Sequence, residues 1–376
     1  MVDKPIKILH IFGRMQRGGA EMRTLDLMRH IDRTRYQFHF CALSGLPGEL
    51  DNEVSQLGGQ VHLLALDHRF PHRFRQLLRE QHYAVVQAHV HFFSGYILRL
   101  AAKENVPVRI THFRITDDGQ GNSIRRRMQR RVMRDWIDVH STHILAVSQG
   151  AMVIPWGSKW CQDQRCQVIY NGFDVEEHLA TVDRESVHQE FSLPTTSRLF
   201  IHVGRMDEQK NHKRLINIFA EIAKEDPAAY LLLVGRGGND IERFVRARAT
   251  ECSIVDRVIF TGVRSDVRRL LGAADIMLFP SLREGLPGAV LEAAAVGTPV
   301  LASDVPGVVE IAQHLPFVRY LPLHASDQEW AKHALTLHSE SIKPGVREVA
   351  REAFVKSVFT IEQCAKAHYA VWGAAL

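Results

Sequence analysis

The sequence predicts an α/β protein of two doubly wound domains, each a parallel sheet covered by helices on both faces. Three observations carry this. Short apolar stretches alternate with amphipathic ones along almost the whole chain, the pattern of strand–helix–strand units. The alternation pauses once, at the polar, strand-free stretch NGFDVEEHLATVDRESVHQEFSLPTTSR, and then resumes. The first three strands after the pause each end on Gly, as a tight strand-to-loop turn often requires.

In chain order, the first strands read IKILHIF, QFHFCAL, VHLLAL, AVVQAHV, VRITHF, HILAVS and CQVIY. Between the first two, Met22, Leu25, Met28 and Ile31 recur every third residue of GGAEMRTLDLMRHI and form one helical stripe. After the pause come LFIHVG, AYLLLVG, RVIFTG, IMLFP, PVLAS and FVRYLP, and the closing TIEQCAKAHYAVWGAAL reads as helix. The boundaries follow: a first domain over 1–172, a hinge linker over 173–197, a second domain over 198–350 and a C-terminal helix over 351–376. In such sheets ligands bind beyond the carboxyl ends of the strands, and two such domains facing each other would form one cleft.

The chain has 376 residues, 45% of them hydrophobic and 24% charged, which fits two globular domains. No apolar run approaches the roughly 20 residues of a membrane span. The opening MVDKPIKILHIFG lacks the parts of a signal peptide and reads as a first strand, so a cytoplasmic location is expected. The five Cys are scattered, and Cys161 and Cys166 stand too far apart for the common zinc pair, so reduced thiols and no metal are expected. The net charge of +5 suits phosphate-bearing ligands or an anionic surface. Nucleic acid is not expected, because no zinc-finger, RNP-type or basic-zipper pattern is present.

Four features of the second domain converge on a phosphate-bearing ligand. In HVGRMDEQKNHKRLI, Gly204 ends a strand and Arg205 and Lys210 follow in the loop. Two cations there can hold a diphosphate, Arg as a fork and Lys as a point charge; the plain alternative is two solvated cations. In LLLVGRGG, Gly235, Gly237 and Gly238 let backbone pass close to a ligand. Val263 follows the next strand and could pack on a base, while Asp275 reads as a helix-to-strand cap. In SLREGLPGAVLEAAAVGTPV, a loop with Glu284, Gly285 and Leu286 leads into a helix starting near Gly288 and stopping at Gly297. Its exposed N–H groups attract anions. Glu292, one turn inside, can accept hydrogen bonds from a ribose diol, and Glu284 can meet the sugar end. The plain alternatives are a helix-end ion pair and a solvated loop acid.

This combination resembles the donor half of the retaining GT-B glycosyltransferases of family 4, the glycosyl transferases group 1. The resemblance rests on Gly204, Arg205, Lys210 and Asn211, then Glu284, Gly285, Glu292, Ala293, Gly297, Pro299 and Val300, and extends over nearly the whole chain. It implies the GT-B fold and a nucleotide-sugar donor, a UDP- or GDP-sugar, with no bound cofactor or metal. It implies that Arg205 and Lys210 hold the diphosphate, Glu292 the ribose and Glu284 the transferred sugar. It also implies a front-face mechanism in which the leaving phosphate helps deprotonate the acceptor.

In the first domain, the resemblance places Gly18 and Gly19 near the donor phosphates and His112, at the end of VRITH, near the transferred sugar as a catalytic residue. Where the family often shows Asp after this His, the chain has Phe113. His89 and His91 form H-x-H, read as packing or hydrogen bonding and not as a metal pair. The loop Phe113 to Ser123 should lie close to the acceptor, Ser148 should cap the next helix, and Asn171, Gly172 and Asp174 are structural. In IRRRMQRRVMR, Arg127, Arg130, Arg131 and Arg134 are expected on one helical face, as a solvated basic face or as a contact with an anionic membrane that serves a glycan or lipid-linked acceptor. Other readings are a nucleotide-sugar epimerase or hydrolase, a phosphorylase, for which no pyridoxal-phosphate lysine site is seen, and a non-catalytic partner. A non-catalytic chain should have lost one of these residues, and this one keeps them all.

Overall fold

A computed structural model describes residues 5–115, 123–174 and 184–375. The chain forms two compact units, one of Met1–Gly172 with Ile361–Leu376 and one of Phe173–Thr360. Part of the expected hinge linker (175–183) and of the expected acceptor loop (116–122) lies outside the described residues.

The first unit holds a parallel seven-stranded sheet. Its strands are β1 (Ile6–Phe12), β2 (Tyr36–Ala42), β3 (Gln60–Leu63), β4 (Val85–Ala88), β5 (Val108–Phe113), β6 (His143–Ala146) and β7 (Cys166–Val168). They lie in the order β3-β2-β1-β4-β5-β6-β7. Ile8 stands beside both Phe38 and Val85, so β1 is central and the order reverses between β1 and β4. Alternate residues of β1 go to opposite faces. Ile6, Ile8 and Phe12 join one core with Leu25, Met28 and Trp372, while Leu9 and Ile11 join another with Phe70, Phe74 and Ile97.

The face of β1 that carries Ile8 also carries a buried polar layer. His10 Nδ1 lies 3.1 Å from His89 Nε2, and Arg114 Nε donates to His89 Nδ1 at 3.1 Å. Gln87 Nε2 donates to His112 Nδ1 at 2.9 Å, and its Oε1 accepts from Trp372 Nε1 at 3.0 Å. His368 Nδ1 donates to the Cys364 carbonyl at 2.9 Å. Trp372, Cys364 and His368 come from helix Ile361–Trp372, which closes this core. The stretch expected as one terminal helix over 351–376 is therefore two segments. Helix Val346–Val355 belongs to the second unit, and Ile361–Trp372 returns to the first.

The second unit holds a parallel six-stranded sheet of β8 (Arg198–Val203), β9 (Ala229–Val234), β10 (Val258–Gly262), β11 (Ile276–Phe279), β12 (Val300–Ser303) and β13 (Val318–Leu321), in the order β10-β9-β8-β11-β12-β13. The order reverses between β8 and β11. Leu215, Ile218 and Phe219 of helix His212–Glu225 pack on Phe200, Leu231 and Leu278. Within the expected linker stands helix Arg184–Glu190. Its Arg184 makes a two-pronged bond to Asp275, at 2.6 and 2.7 Å, and Asp275 also accepts from Leu199 N at 2.7 Å. Asp275 thus ties this helix to the start of β8, a wider role than the helix-to-strand cap expected of it.

Seven histidines, six of them buried and His89 half-buried, set an acid limit on this fold. Burial is the first cause in each case. It pushes His10, His89, His112 and His202 well below 6.5 and His39, His212 and His368 down to about 4. Each is neutral when folded and takes up a proton only on unfolding, once the pH is below 6.5. They therefore leave stability unchanged above that pH. Below it, protonation of these groups in the unfolded chain withdraws stability progressively as the pH falls. Thermal melts from pH 6.5 down to about 4 should show a steep fall in Tm; a flat Tm over that window would contradict the neutral layer.

Candidate functional site

In open α/β sheets the crevice for a ligand lies where strand order reverses, beyond the carboxyl ends. In the second unit that point lies between β8 and β11, and most of the candidates surround it. The chain leaves β8 at Gly204, whose N–H donates to the Val234 carbonyl at 2.9 Å. A Cβ on Gly235, at φ +146°, would stand 2.1 Å from the Gly204 oxygen. A Cβ on Gly204 would press on the Lys210 stem at 3.1 Å. These two glycines let the loops after β8 and β9 stack, with the lysine laid across them.

The loops after β8 and β11 are laced together. Asp207 Oδ1 accepts from Lys210 N at 3.0 Å, and Asn211 Nδ2 donates to the Pro280 carbonyl at 3.0 Å. Asn211 itself adopts the left-handed conformation, φ 55°, which Asn tolerates better than most residues. Leu282 N donates to the Gln209 carbonyl at 2.8 Å, and Gln209 Nε2 donates to the Arg283 carbonyl at 2.9 Å.

This lacing delivers Lys210 to Glu284. Lys210 Nζ lies 2.7 Å from Glu284 Oε1 and 4.7 Å from the Phe279 ring centroid. Ser281 Oγ lies 2.7 Å from the same carboxylate oxygen and 2.9 Å from the Gln209 carbonyl, so its single proton can serve either. The side chains of Lys210 and Glu284 are only 18% and 10% exposed, so their attraction is little screened. An incoming anion would draw Lys210 and repel Glu284.

Past Glu284, Gly285 and Leu286 are buried and lead into helix Gly288–Ala295, whose N-cap Pro287 supplies no side-chain cap. Its first N–H groups thus have no side-chain oxygen of the N-cap residue to bond. A Cβ on Gly307 would come within 2.2 Å of the Gly285 carbonyl, so that glycine clears the turn. Glu292 is half-buried one turn along the helix. Gly297 follows the helix at φ +79°, the expected stop. Arg205 is exposed on the loop after β8, 3.5 Å from Asp207, and Val263 is exposed after β10.

The structure thus gathers Gly204, Lys210, Glu284, Gly285 and Leu286 around one strand-order reversal, with Arg205 on the rim. Sequence reasoning missed Ser281, Gln209 and Phe279. Ser281 had a signal, since it directly follows the β11 end in FPSL, but nothing in the sequence pairs it with a residue that lies over 70 positions earlier.

Gly18, Gly19 and His112 lie in the first unit. Gly18 is the N-cap of helix Gly19–His30, and a Cβ there would strike Glu21 at 2.4 Å, whereas Gly19 has open space. The His112 side chain, one residue before the end of β5, is fully buried, bonded to Gln87 and kept neutral by burial. His89 and His91 lie beyond β4, which ends at Ala88, and His91 starts a tight turn at φ 51°. His89 is engaged by hydrogen bonds, as expected. Ser148 accepts from Ala151 N at 3.1 Å as the expected cap. Among the described residues no group of three or more His, Cys, Asp or Glu could hold a metal ion.

The Lys210–Glu284 contact has a measurable consequence apart from any function. Lys210→Met should cost about 1–3 kcal/mol by leaving a mostly buried carboxylate short of its partner. Glu284→Gln should cost less, because the amide still accepts from Lys210 and Ser281. The double variant should regain part of the loss, a coupling of about 1 kcal/mol or more in urea melts. Strict additivity would remove the pair as a structural element.

Known proteins share this organisation. Residues 17–177 match Glycosyltransferase Family 4, and residues 183–343 match Glycosyl transferases group 1. The capsular polysaccharide biosynthesis glycosyltransferase CapH of Staphylococcus aureus is 34% identical over 313 residues, 82% of this chain and 84% of CapH. An Escherichia coli UDP-Gal:alpha-D-GlcNAc-diphosphoundecaprenol alpha-1,3-galactosyltransferase is 27% identical over 246 residues, 62% of this chain and 60% of that one. Anabaena Alr3699/HepE, crystallised with UDP, superposes with a TM-score of 0.83 at 19% identity, over 98% of this chain and 100% of HepE. With two parallel sheets, a matched domain family over each half and a relative alike over most of its length, the chain belongs to the GT-B glycosyltransferases of family 4 and is a transferase enzyme.

Proposed function

We propose that the protein transfers a hexose-type sugar, with retention of anomeric configuration, from a nucleotide-sugar to a glycan or lipid-linked glycan in the building of a polysaccharide. The observation that carries this is the Lys210–Glu284 pair at the reversal between β8 and β11, beside the uncapped start of helix Gly288–Ala295. A cation, a carboxylate and helix-end N–H groups suit the two ends of one nucleotide sugar. CapH's part in capsule synthesis and the lipid diphosphate acceptor in the galactosyltransferase's name support the acceptor class. The UDP bound to HepE makes a uridine nucleotide the first donor to test, ahead of GDP.

In this reading Lys210 and Arg205 take the diphosphate, together with the N–H groups that follow Leu286. Gly204 keeps the Lys210 stem low, and Gly285 lets the turn come close. Glu292 accepts from the ribose diol, Val263 packs on the base, and Glu284 holds the hydroxyls of the sugar. Gly18 and Gly19 of the first unit are assigned to the donor phosphates because the family resemblance implies it. His112, near the end of β5, lies by the transferred sugar and aids departure of the phosphate through its backbone or side chain.

The bond from the sugar anomeric carbon to the diphosphate oxygen breaks as the acceptor oxygen bonds to the same face. The acceptor proton passes to the departing phosphate oxygen. Charge gathers on that phosphate, and in this reading Lys210, Arg205 and the helix start stabilise it. Protein cations are the counter-charge here, so turnover should survive a chelator.

The pair gives this reading a test of its own. Glu284→Gln should lower turnover at least about 100-fold, yet bind bare nucleoside diphosphate as tightly as wild type or tighter, because a neutral amide holds Lys210 less strongly than the carboxylate and does not repel the anion. Lys210→Ala should weaken that binding by about 1.5–3 kcal/mol, and Glu292→Gln by a similar amount. Full turnover in Glu284→Gln would sink the assignment. Product analysis by NMR should show the donor's anomeric configuration; an inverted product, or free sugar formed equally with and without acceptor, would replace retaining transfer with inversion or hydrolysis.

A further inference from the structure

The Arg205 side chain is 78% exposed, and an exposed arginine gives up rotamer freedom when it grips a ligand. The residues beside it limit that loss by fixing the backbone that carries it. Before it, Gly204 N is bonded to the Val234 carbonyl. After it, Met206 is buried, and both of its backbone groups bond to the loop that leaves β9. Its N–H donates to the Arg236 carbonyl at 2.9 Å, and its carbonyl accepts from Asn239 Nδ2 at 2.5 Å.

The other end of the Asn239 amide has separate work. Asn239 is the N-cap of helix Asp240–Glu251, and its Oδ1 accepts from Ile241 N and Glu242 N, each at 3.1 Å. Two N–H donors at one end and a carbonyl at the other leave a single orientation for the amide. The loop that carries Asn239 is held in its turn. Glu242 reaches back from the first turn of the helix and accepts from Gly238 N at 2.5 Å, and Arg246 donates to the same carboxylate at 2.6 and 2.8 Å. The Gly238 N–H first, and then Arg246, keep the Glu242 carboxyl below the usual carboxylate range, so it stays charged at neutral pH.

Capping alone does not call for Asn at this position. Ser caps helices about as well, but its shorter side chain does not span from the helix start to the Met206 carbonyl, and its single hydroxyl carries one proton. The amide does both jobs at once. We infer that Asn239 is a positioning residue for the donor diphosphate: through the Met206 carbonyl it fixes the backbone beside Arg205, so that the guanidinium meets the ligand from a set place. The inference rests on the assignment of Arg205 to the diphosphate. Asn239 acts through Met206 and Arg205 and touches no ligand itself.

Asn239 is exposed, so replacing it opens no cavity and its variants should fold. Calorimetric binding of UDP and of GDP to the full chain, measured together with Tm, separates the two ends of the amide. Asn239→Ser keeps the cap and loses the bond to Met206, whereas Asn239→Ala loses both. Tm should therefore fall from wild type to the Ser variant and further to the Ala variant. Affinity for whichever nucleotide wild type binds more tightly should fall about 3- to 10-fold, and equally in both variants. On an Arg205→Ala background, Asn239→Ser should cause no further loss, because the residue it positions is gone. Affinity that follows Tm, with the Ser variant near wild type and only the Ala variant weakened, would make Asn239 an ordinary cap and overturn the inference. So would an Asn239→Ser loss as large on the Arg205→Ala background as in wild type. Weakened binding in Arg205→Ala with wild-type binding in Asn239→Ser would remove the inference and leave the donor assignment standing. Wild-type binding in Arg205→Ala, or no binding of either nucleotide by wild type, would remove the donor assignment first and the inference with it.

Discussion

The second unit depends on one contact, the meeting of the loops that leave β8 and β11. Parallel strands put both loops at the same edge of the sheet, and the reversal of strand order between them leaves that edge open. Lys210 and Glu284 close across it at 2.7 Å. Neither could be there alone, since a mostly buried charge without a partner is costly. Ser281, the Phe279 ring and the bare backbone of Gly204 fix where the lysine lies. The same constraint makes the pair responsive. An anionic ligand at this edge would change the balance between its members, and stability and ligand binding would then draw on one interaction.

The first unit solves a different problem. Its sheet carries polar side chains inside, and each is matched to a partner or kept uncharged. Arg114 is the exception, a cation that burial lowers to about 10 and that stays charged at neutral pH. Arg114 Nη1 bonds to Asn171 at 2.7 Å and its Nε to His89. The chain's last helix completes this layer through Trp372 and Gln87. A truncation before Ile361 would therefore open the first unit, although the lost residues follow the second unit in sequence.

Much of this was legible in the sequence because parallel strands buried on both faces are written as short apolar runs, and the thirteen strands among the described residues coincide with such runs. The glycine-rich turns and the helix from Gly288 were legible for the same local reason. What was not legible depends on distance along the chain. Nothing local pairs Lys210 with Glu284 or Gln209 with Ser281. Nothing in TIEQCAKAHYAVWGAAL says which sheet it covers. His112 lies one residue before the end of its strand, and its side chain is buried against Gln87 of the adjacent strand, a pairing that nothing local in VRITHF shows. The arginine helix misled in a similar way. Periodicity placed six cations on the helix, and only packing against helix Ser94–Lys103 decides that Met128 and Val132, not Arg130, face outward.

The claim that binds these observations is that Lys210 is held ready for a diphosphate by Glu284. A crystal structure with bound nucleoside diphosphate tests it most directly. The expected result is Lys210 Nζ in hydrogen-bond contact with a phosphate oxygen, the diphosphate against the N–H groups at the start of helix Gly288–Ala295, and the contact to Glu284 lengthened or shared. A nucleotide bound elsewhere, with the Lys210–Glu284 pair intact at its present 2.7 Å, would contradict the account.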